Sequence, residues 1–138
     1  MANIVELREM SDTKLEEMLE NSREEMFNLR FQQASSRLED YTRLKAVRRE
    51  IAQLETVLNM RQLAIETAVS NDDLSSALAG KEWEASAMYS YEDSGWQVTF
   101  VDESGNELAT GLVNLNKKRL QSRRQAKKKR QPQRVVAV

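Results

Sequence analysis

The first 79 residues of this 138-residue chain contain no glycine and no proline. All four glycines, at positions 80, 95, 105 and 111, and the single proline, Pro132, lie in the remaining part. Glycine and proline interrupt helices more strongly than other residues, and both are frequent in turns. Their uneven distribution predicts long helices in the first part of the chain and shorter elements joined by turns in the second.

Apolar residues recur at helical spacing in two stretches of the first part. One series is Leu15, Leu19, Ser22, Met26 and Leu29, and the other is Leu44, Val47, Ile51, Leu54 and Leu58. Steps of three and four place each series on one face of an α-helix. The polar stretch 33–37 between them lacks this period and predicts a turn, so the helices should form an antiparallel hairpin. We interpret Phe27 and Phe31 as residues that widen its apolar seam.

After residue 70 the pattern changes to that of short elements. A short helix is predicted over residues 72–79, ended by Gly80. Three segments rich in β-branched and aromatic residues follow, separated by turn sequences: 87–91, 96–101 and 107–115. Such segments predict a small antiparallel β-meander, and we expect Trp83 and Trp96 to form its core.

The charges divide the chain into three parts. Residues 1–69 contain ten Lys/Arg and thirteen Asp/Glu, a net charge of −3; residues 70–116 contain one and nine, a net charge of −8; residues 117–138 contain ten and none. The predicted fold class is therefore mainly α, with a helical hairpin in 1–69, an acidic extension in 70–116 and a basic tail in 117–138. A tail of this kind favours a polyanion or an anionic membrane surface as its partner.

Several classes of function are excluded by residues that the chain lacks. Without cysteine or histidine, it cannot by itself form a disulfide, a Cys/His zinc site or a nucleophile–histidine pair. A helix cap and a turn explain the acidic pairs Asp72–Asp73 and Asp102–Glu103, so we expect no enzyme activity, no cofactor and no metal site. No run of 18 apolar residues and no signal-peptide pattern is present, which favours a cytoplasmic protein without a membrane span.

Three local sequences occur in a characteristic order. They are Leu-Arg-Glu-Met-Ser at 7–11, Glu-Met-Phe-Asn-Leu-Arg-Phe-Gln at 25–32 and Arg-Leu-Lys-Ala-Val-Arg-Arg-Glu-Ile-Ala at 43–52, with the small-residue turn before the last. From Leu7 to about Leu63 the chain resembles the bacterial-type family of large-subunit ribosomal protein twenty-nine. It departs from the family pattern at Ser36, where the family turn often has glycine, and in the net acidic charge of the hairpin. The resemblance does not extend beyond residue 70.

This resemblance implies a helical-hairpin, non-enzymatic structural constituent of the large ribosomal subunit, cytoplasmic and ribosome-bound. It also implies binding to large-subunit ribosomal RNA near the polypeptide exit tunnel. Its neighbour there would be ribosomal protein twenty-three, close to where targeting factors and chaperones dock. The alternative, a coiled-coil interaction protein or adaptor, follows from the spacing of the two apolar series.

Candidate RNA contacts are basic and polar side chains beside the apolar seam and in the tail. Lys45, Arg48 and Arg49 share one face of the second helix, and guanidinium groups suit bidentate contact with phosphate. The predicted contacts are Arg30, Gln32, Arg37, Arg43, Lys45, Arg48 and Arg49 in the hairpin, and Lys117, Lys118, Arg119, Arg123, Arg124, Lys127, Lys128, Lys129 and Arg130 in the tail. The alternative for the helical cluster is a solvated face. We expect the acidic extension to face a protein, or to fold back onto the tail until RNA displaces it.

Overall fold

The computed structural model describes residues 2–118 and 132–135, with side chains described for residues 2–115. The chain divides into two compact units, Met1–Met60 and Arg61–Val138. Each unit has a hydrophobic core of its own.

A helical hairpin preceded by a short helix forms the first unit. Its elements are α1 (Ile4–Glu9), α2 (Asp12–Ala34) and the part of α3 (Tyr41–Val69) up to residue 60. The core consists of Leu7 from α1, Leu15 and Leu19 from α2, and Leu54 and Val57 from α3. Each of these side chains is at most 7% exposed, so the two predicted apolar series do face each other. The helix α1 is an addition that the two series did not indicate.

Backbone hydrogen bonds close the turn at the end of α2. The Arg37 amide donates to the Gln32 carbonyl at 2.8 Å, and the Ser36 amide donates to the Gln33 carbonyl at 3.1 Å. These two bonds constitute a Schellman motif, in which the residue after the helix cap has a left-handed conformation. Ser36 has φ +55°, in the region that favours glycine. The turn lies within the stretch 33–37 that lacked a helical period.

A capping carboxylate precedes α3. Oδ1 of Asp40 accepts hydrogen bonds from the Thr42 hydroxyl at 2.5 Å and from the Thr42 amide at 2.8 Å. These bonds, the hydroxyl bond first, hold the pKa of Asp40 below its ordinary value of 3.8, because they stabilise the ionised form. From this cap, α3 continues for 29 residues. Within the described residues, no helix combines the length and the apolarity needed to cross a membrane.

The second unit is an antiparallel sheet with helices on one face. Its elements are residues 61–69 of α3, then α4 (Asp72–Leu78), β1 (Glu84–Ser90), β2 (Gly95–Val101), β3 (Glu107–Lys118) and β4 (Pro132–Val135). The strands lie in the order β1-β2-β3-β4, and each neighbouring pair is antiparallel. The predicted meander is thus present, and it gains a fourth strand from the part of the chain predicted as a basic tail.

The alternation of buried and exposed side chains along β2 shows which face of the sheet is covered. Trp96, Val98 and Phe100 are buried, whereas Gln97 between them is exposed. Trp83 lies before β1 and is 36% exposed; its ring packs edge-on against that of Phe100, with centroids 5.1 Å apart. The expectation that both tryptophans form the core is therefore correct for Trp96 and wrong for Trp83.

The end of α3 belongs to the second unit. Ala64 and Ala68 are fully buried in the same core as Leu74 of α4 and Val98 of β2. The compact unit consequently begins at Arg61, nine residues before the boundary at 69/70 that was predicted from composition. A continuous helix contains no breaker or charge shift at residue 60, so its sequence gives no sign of this division.

Candidate nucleic-acid interface

All predicted contacts in the hairpin are exposed to solvent. They are Arg30 and Gln32 on α2, Arg37 in the turn, and Arg43, Lys45, Arg48 and Arg49 on α3. Arg43 forms an ion pair with Glu25. Within residues 2–115, Arg30, Lys45 and Arg48 form no ion pair. Unpaired cations on a helix surface attract phosphate more strongly than cations already neutralised by carboxylates.

An open groove of about 370 Å³ lies between α2 and α3. It is lined by Arg23, Met26, Phe27 and Arg30 from α2 and by Arg48 and Ile51 from α3. The groove therefore brings together two of the predicted RNA contacts, Arg30 and Arg48, from different helices. We call this set of six residues the hairpin groove. Its floor is apolar, because Met26 is buried and Ile51 is partly buried, and guanidinium groups stand at its sides.

Two exposed aromatic rings lie on α2, and the first of them, Phe27, lines the groove. Phe27 is 69% exposed and Phe31, one helical turn further, is 66% exposed. The interpretation of both as part of the apolar seam is wrong. A residue directly after Met26 points about 100° away from it around the helix axis. Among the described residues of this unit, neither α1 nor α3 covers that direction, so the rings stay largely exposed.

Exposed rings next to guanidinium groups match a known mode of RNA recognition. Proteins that read single-stranded RNA stack unpaired bases on aromatic rings and neutralise neighbouring phosphates with arginine. Phe27 with Arg30 and Arg48 offers both components at one place. Sequence reasoning missed Phe27, Arg23, Met26 and Ile51 as members of the site. The helical register of Phe27, one position after Met26, is compatible with an exposed ring, but it does not by itself distinguish such a ring from the edge of a wide apolar seam.

Two other arginines are held by carboxylates. Nε and one terminal nitrogen of Arg43 donate to the two oxygens of Glu25 at 2.5 and 2.8 Å, joining α3 to α2. Arg23 donates to Glu55 of α3 at 3.0 Å and to Glu20 of its own helix at 3.1 Å. The hydrogen bonds that the guanidinium groups donate to Glu25 and to Glu55 are the largest causes that raise the pKa values of Arg43 and Arg23, respectively. Both guanidinium groups thus link the helices, and Arg23 lines the groove already partnered.

The remaining predicted contacts are not among the residues that line the groove. Gln32, Arg37, Lys45 and Arg49 are exposed but do not line it. The backbone of Lys117 and Lys118 belongs to β3, and their side chains are not described. The other predicted tail contacts lie outside the described residues: Arg119, Arg123, Arg124, Lys127, Lys128, Lys129 and Arg130.

Comparison with known proteins assigns the helical part of the chain. The family model described as "Ribosomal L29 protein" matches residues 5–61. The large ribosomal subunit protein uL29 of Streptomyces avermitilis is 51% identical over 65 residues, which cover 47% of this chain and 88% of that protein. The chain belongs to the ribosomal L29 family. The uL29 protein of Mycobacterium tuberculosis, 52% identical over 62 residues, covers 45% of this chain and 80% of its own length.

The L29 family match and the first compact unit end within one residue of each other. The match ends at Arg61, and the first compact unit ends at Met60. The resemblance found from the local sequences is thereby confirmed, and it concerns the unit that carries the hairpin groove. The sheet of the second unit lies beyond the residues that the family model matches.

Proposed function

We propose that this chain binds large-subunit ribosomal RNA through the hairpin groove and the rings of Phe27 and Phe31. As a member of the L29 family, the chain is a structural, non-enzymatic constituent of the large ribosomal subunit, and in bacteria such proteins are cytoplasmic and bound to ribosomes. The observation that carries the proposal is the meeting of two unpaired guanidinium groups and an exposed ring at one groove.

Each component has a separate task in this interface. Arg30 and Arg48 approach the groove from different helices, so their guanidinium groups are suited to hold phosphates on either side of it. An unpaired base that stacks on Phe27 removes an exposed ring from water. Met26 and Ile51 keep the floor apolar, which favours a base or a ribose over bulk water between the two cations.

Four other predicted contacts extend this interface along the hairpin, and Arg43 does not. Lys45 and Arg49 are exposed on α3 near Arg48 in sequence, and Arg37 and Gln32 lie at the turn end of the hairpin. Arg43 takes a different part, because its bidentate pair with Glu25 already satisfies the guanidinium edge that a phosphate needs. We propose that Arg43 supports the groove by joining the helices rather than by meeting RNA.

The basic tail adds an electrostatic contact with RNA that does not depend on the base sequence of the RNA. Ten lysines and arginines without an acid attract any nearby polyanion, and each phosphate that they neutralise releases condensed counterions. We propose that the tail follows additional ribosomal RNA.

The resemblance also motivates a location. We propose that the chain sits near the polypeptide exit tunnel, beside ribosomal protein twenty-three and close to docking targeting factors or chaperones. A density map of ribosomes that contain this chain tests the location, and density for the chain elsewhere on the subunit contradicts it.

The groove is tested by removing its two unpaired charges. In the double variant Arg30→Gln/Arg48→Gln, both side chains stay polar and exposed, so the hairpin should remain folded. We expect weaker binding to large-subunit ribosomal RNA. The slope of the logarithm of affinity against the logarithm of salt concentration should fall by about 1.4–1.8, because two phosphate contacts are lost.

A matched control removes two charges elsewhere. Lys14→Gln/Lys81→Gln changes the net charge equally at exposed positions outside the groove, and its salt slope should stay close to that of the unchanged chain. Equal slopes for the two double variants would show that the groove does not hold phosphate. The variant Phe27→Leu separates stacking from charge: affinity should fall by about 1–3 kcal/mol, while the salt slope stays the same.

A further inference from the structure

The two edges of the sheet differ in how they are protected. The outer strand β4 has four residues, begins with Pro132 and pairs with β3 through a register shift. Short edges, prolines and irregular pairing all discourage the addition of another strand. The opposite outer strand, β1, has seven residues without proline, and all seven pair with β2 in one uninterrupted register. In the described part of the chain, the other edge of β1 has no strand beside it.

Both ends of β1 carry the same combination of side chains. Glu82, Trp83 and Glu84 precede or begin the strand, and Tyr91, Glu92 and Asp93 follow it. All six side chains are exposed. We call these two groups the acidic–aromatic ends of β1.

The aromatic rings at these ends are fixed in position while part of each stays open to solvent. The Trp83 ring rests edge-on against Phe100, and the Tyr91 ring rests edge-on against Tyr89 with centroids 4.8 Å apart. Trp83 is 36% exposed and Tyr91 is 50% exposed. A ring held this way beside carboxylates attracts a lysine or arginine through its π-face and through charge.

We propose that the open edge of β1 binds an extended segment of another protein, with a lysine or arginine at each acidic–aromatic end. The segment adds to the sheet as a further strand, so its backbone pairs with the amides and carbonyls that β1 directs away from β2. Trp83 and Tyr91 flank the seven residues of β1 and are eight positions apart in the sequence, and a fully extended segment of this length spans about 26 Å. The bound segment therefore carries its two basic residues about eight positions apart. This docking site is separate from the hairpin groove and does not rest on it.

Charge argues against two other occupants of this edge. Because both ends of β1 are acidic, pairing with a second copy in either direction brings carboxylates against carboxylates, which is unfavourable in a sheet. Nucleic acid is disfavoured at this edge as well, because the two ends of β1 carry the carboxylates of Glu82, Glu84, Glu92 and Asp93. A basic polypeptide meets the acidic ends with opposite charge, and Met88, 45% exposed in the middle of β1, offers it an apolar contact.

A designed peptide tests the site on the full-length chain, purified free of nucleic acid. The probe has nine residues, with lysine at the first and last positions and alternating threonine and valine between them. We expect saturable binding by fluorescence anisotropy and slower amide hydrogen exchange in β1, with no change in β4. The same peptide with glutamate at both ends should bind about tenfold more weakly or not at all.

Two charge-reversal variants make the test specific. Glu84→Lys/Glu92→Lys alters one carboxylate at each end of β1 and should weaken binding of the lysine peptide about tenfold. Glu66→Lys/Asp73→Lys changes the net charge equally on the helices α3 and α4, and its affinity should stay within about twofold. Near-ultraviolet circular dichroism of the buried Trp96 checks that both variants keep the sheet.

Three outcomes overturn the proposal. Equal loss of affinity in both double variants would mean that net charge alone attracts the peptide. Slower exchange outside β1 on the unchanged chain would place binding elsewhere, and this readout needs no variant to fold. Sedimentation of the chain alone as a dimer, with the amides of β1 protected, would identify a second copy as the occupant.

Discussion

Ser36 adopts a backbone conformation that glycine adopts at lower cost. Its φ of +55° lies in the left-handed region. There the Cβ atom of any residue other than glycine lies too close to its own backbone carbonyl oxygen. We expect Ser36→Gly to raise the free energy of unfolding of the hairpin by about 0.5–1 kcal/mol, because relief of strain exceeds the added flexibility of the unfolded chain. Urea unfolding followed by circular dichroism at 222 nm measures the change.

Ser35 provides the control for this prediction. It is the neighbouring cap residue, and its φ of −85° lies outside the left-handed region, so its backbone is not strained in this way. Ser35→Gly should therefore lower stability slightly, since it adds only flexibility to the unfolded chain. Stabilisation by both substitutions would indicate that loop flexibility, not the φ of Ser36, limits the turn.

Single residues were also where the sequence was least informative about the site. Arg30 and Arg48 were predicted as contacts because charge and helical spacing mark exposed basic positions, and the structure places both at the groove. Phe27 and Phe31 were misassigned, because an apolar residue beside a seam fits either a wide core or an exposed ring. The width of the core decides between these, and it depends on how many helices pack together, which no local pattern encodes.

At the scale of a helix, the ionisation of Asp40 makes the stability of the start of α3 depend on pH. Its pKa lies below the ordinary value of 3.8, chiefly because the Thr42 hydroxyl and amide donate to the ionised carboxylate. A lowered pKa in the folded state gives stability that is present above the unfolded pKa and is lost as the pH falls through the folded one. We expect Asp40→Ala to be less stable than the unchanged chain at pH 7, with the difference vanishing in strong acid.

Asn at this position separates capping from charge. Asparagine caps helices about as well as aspartate but does not titrate. The stability difference between Asp40→Asn and Asp40→Ala, measured by urea unfolding at each pH, should therefore stay constant through the acidic range. If the difference between Asp40→Ala and the unchanged chain also stays constant down to pH 2, ionisation of Asp40 does not contribute to the cap.

Whole elements were predicted to different degrees for physical reasons. The long helices and three strands follow from period, breakers and turn residues, all of which are local properties. The strand β4 was missed because its four residues, 132–135, have no alternation of their own and follow a run of cations. Its strand conformation comes from pairing with β3, a contact between segments that are distant in the sequence.

At the scale of the whole molecule, the division at Met60/Arg61 makes a prediction about fragments. Ala64 and Ala68 are fully buried in the core of the second unit. We expect a fragment of residues 61–138 to show a cooperative thermal transition and the near-ultraviolet signal of a buried Trp96. A fragment of residues 70–138 should lose both, because the helix that covers part of the sheet is missing. Identical melting of the two fragments would place the boundary at residue 70.

The cations of the basic tail lead to a prediction about how RNA binding depends on salt concentration. Replacing Lys127, Lys128, Lys129 and Arg130 with glutamine removes four of its ten cations. We expect the salt slope of ribosomal RNA binding to fall by about 3, whereas binding at the hairpin groove persists. Filter binding over a series of salt concentrations measures this slope. A slope that does not change would mean that the tail does not touch RNA.

The separate cores of the two units have a consequence for folding during synthesis of the protein. Every residue of the first core lies between Leu7 and Val57, so that core is complete before any residue of the second core has been translated. Domains emerge from synthesis in order and tend to fold as units. The family-matched hairpin is therefore able to collapse on its own while the sheet is still being made. A newly made hairpin then does not have to wait for the acidic extension before it meets its RNA.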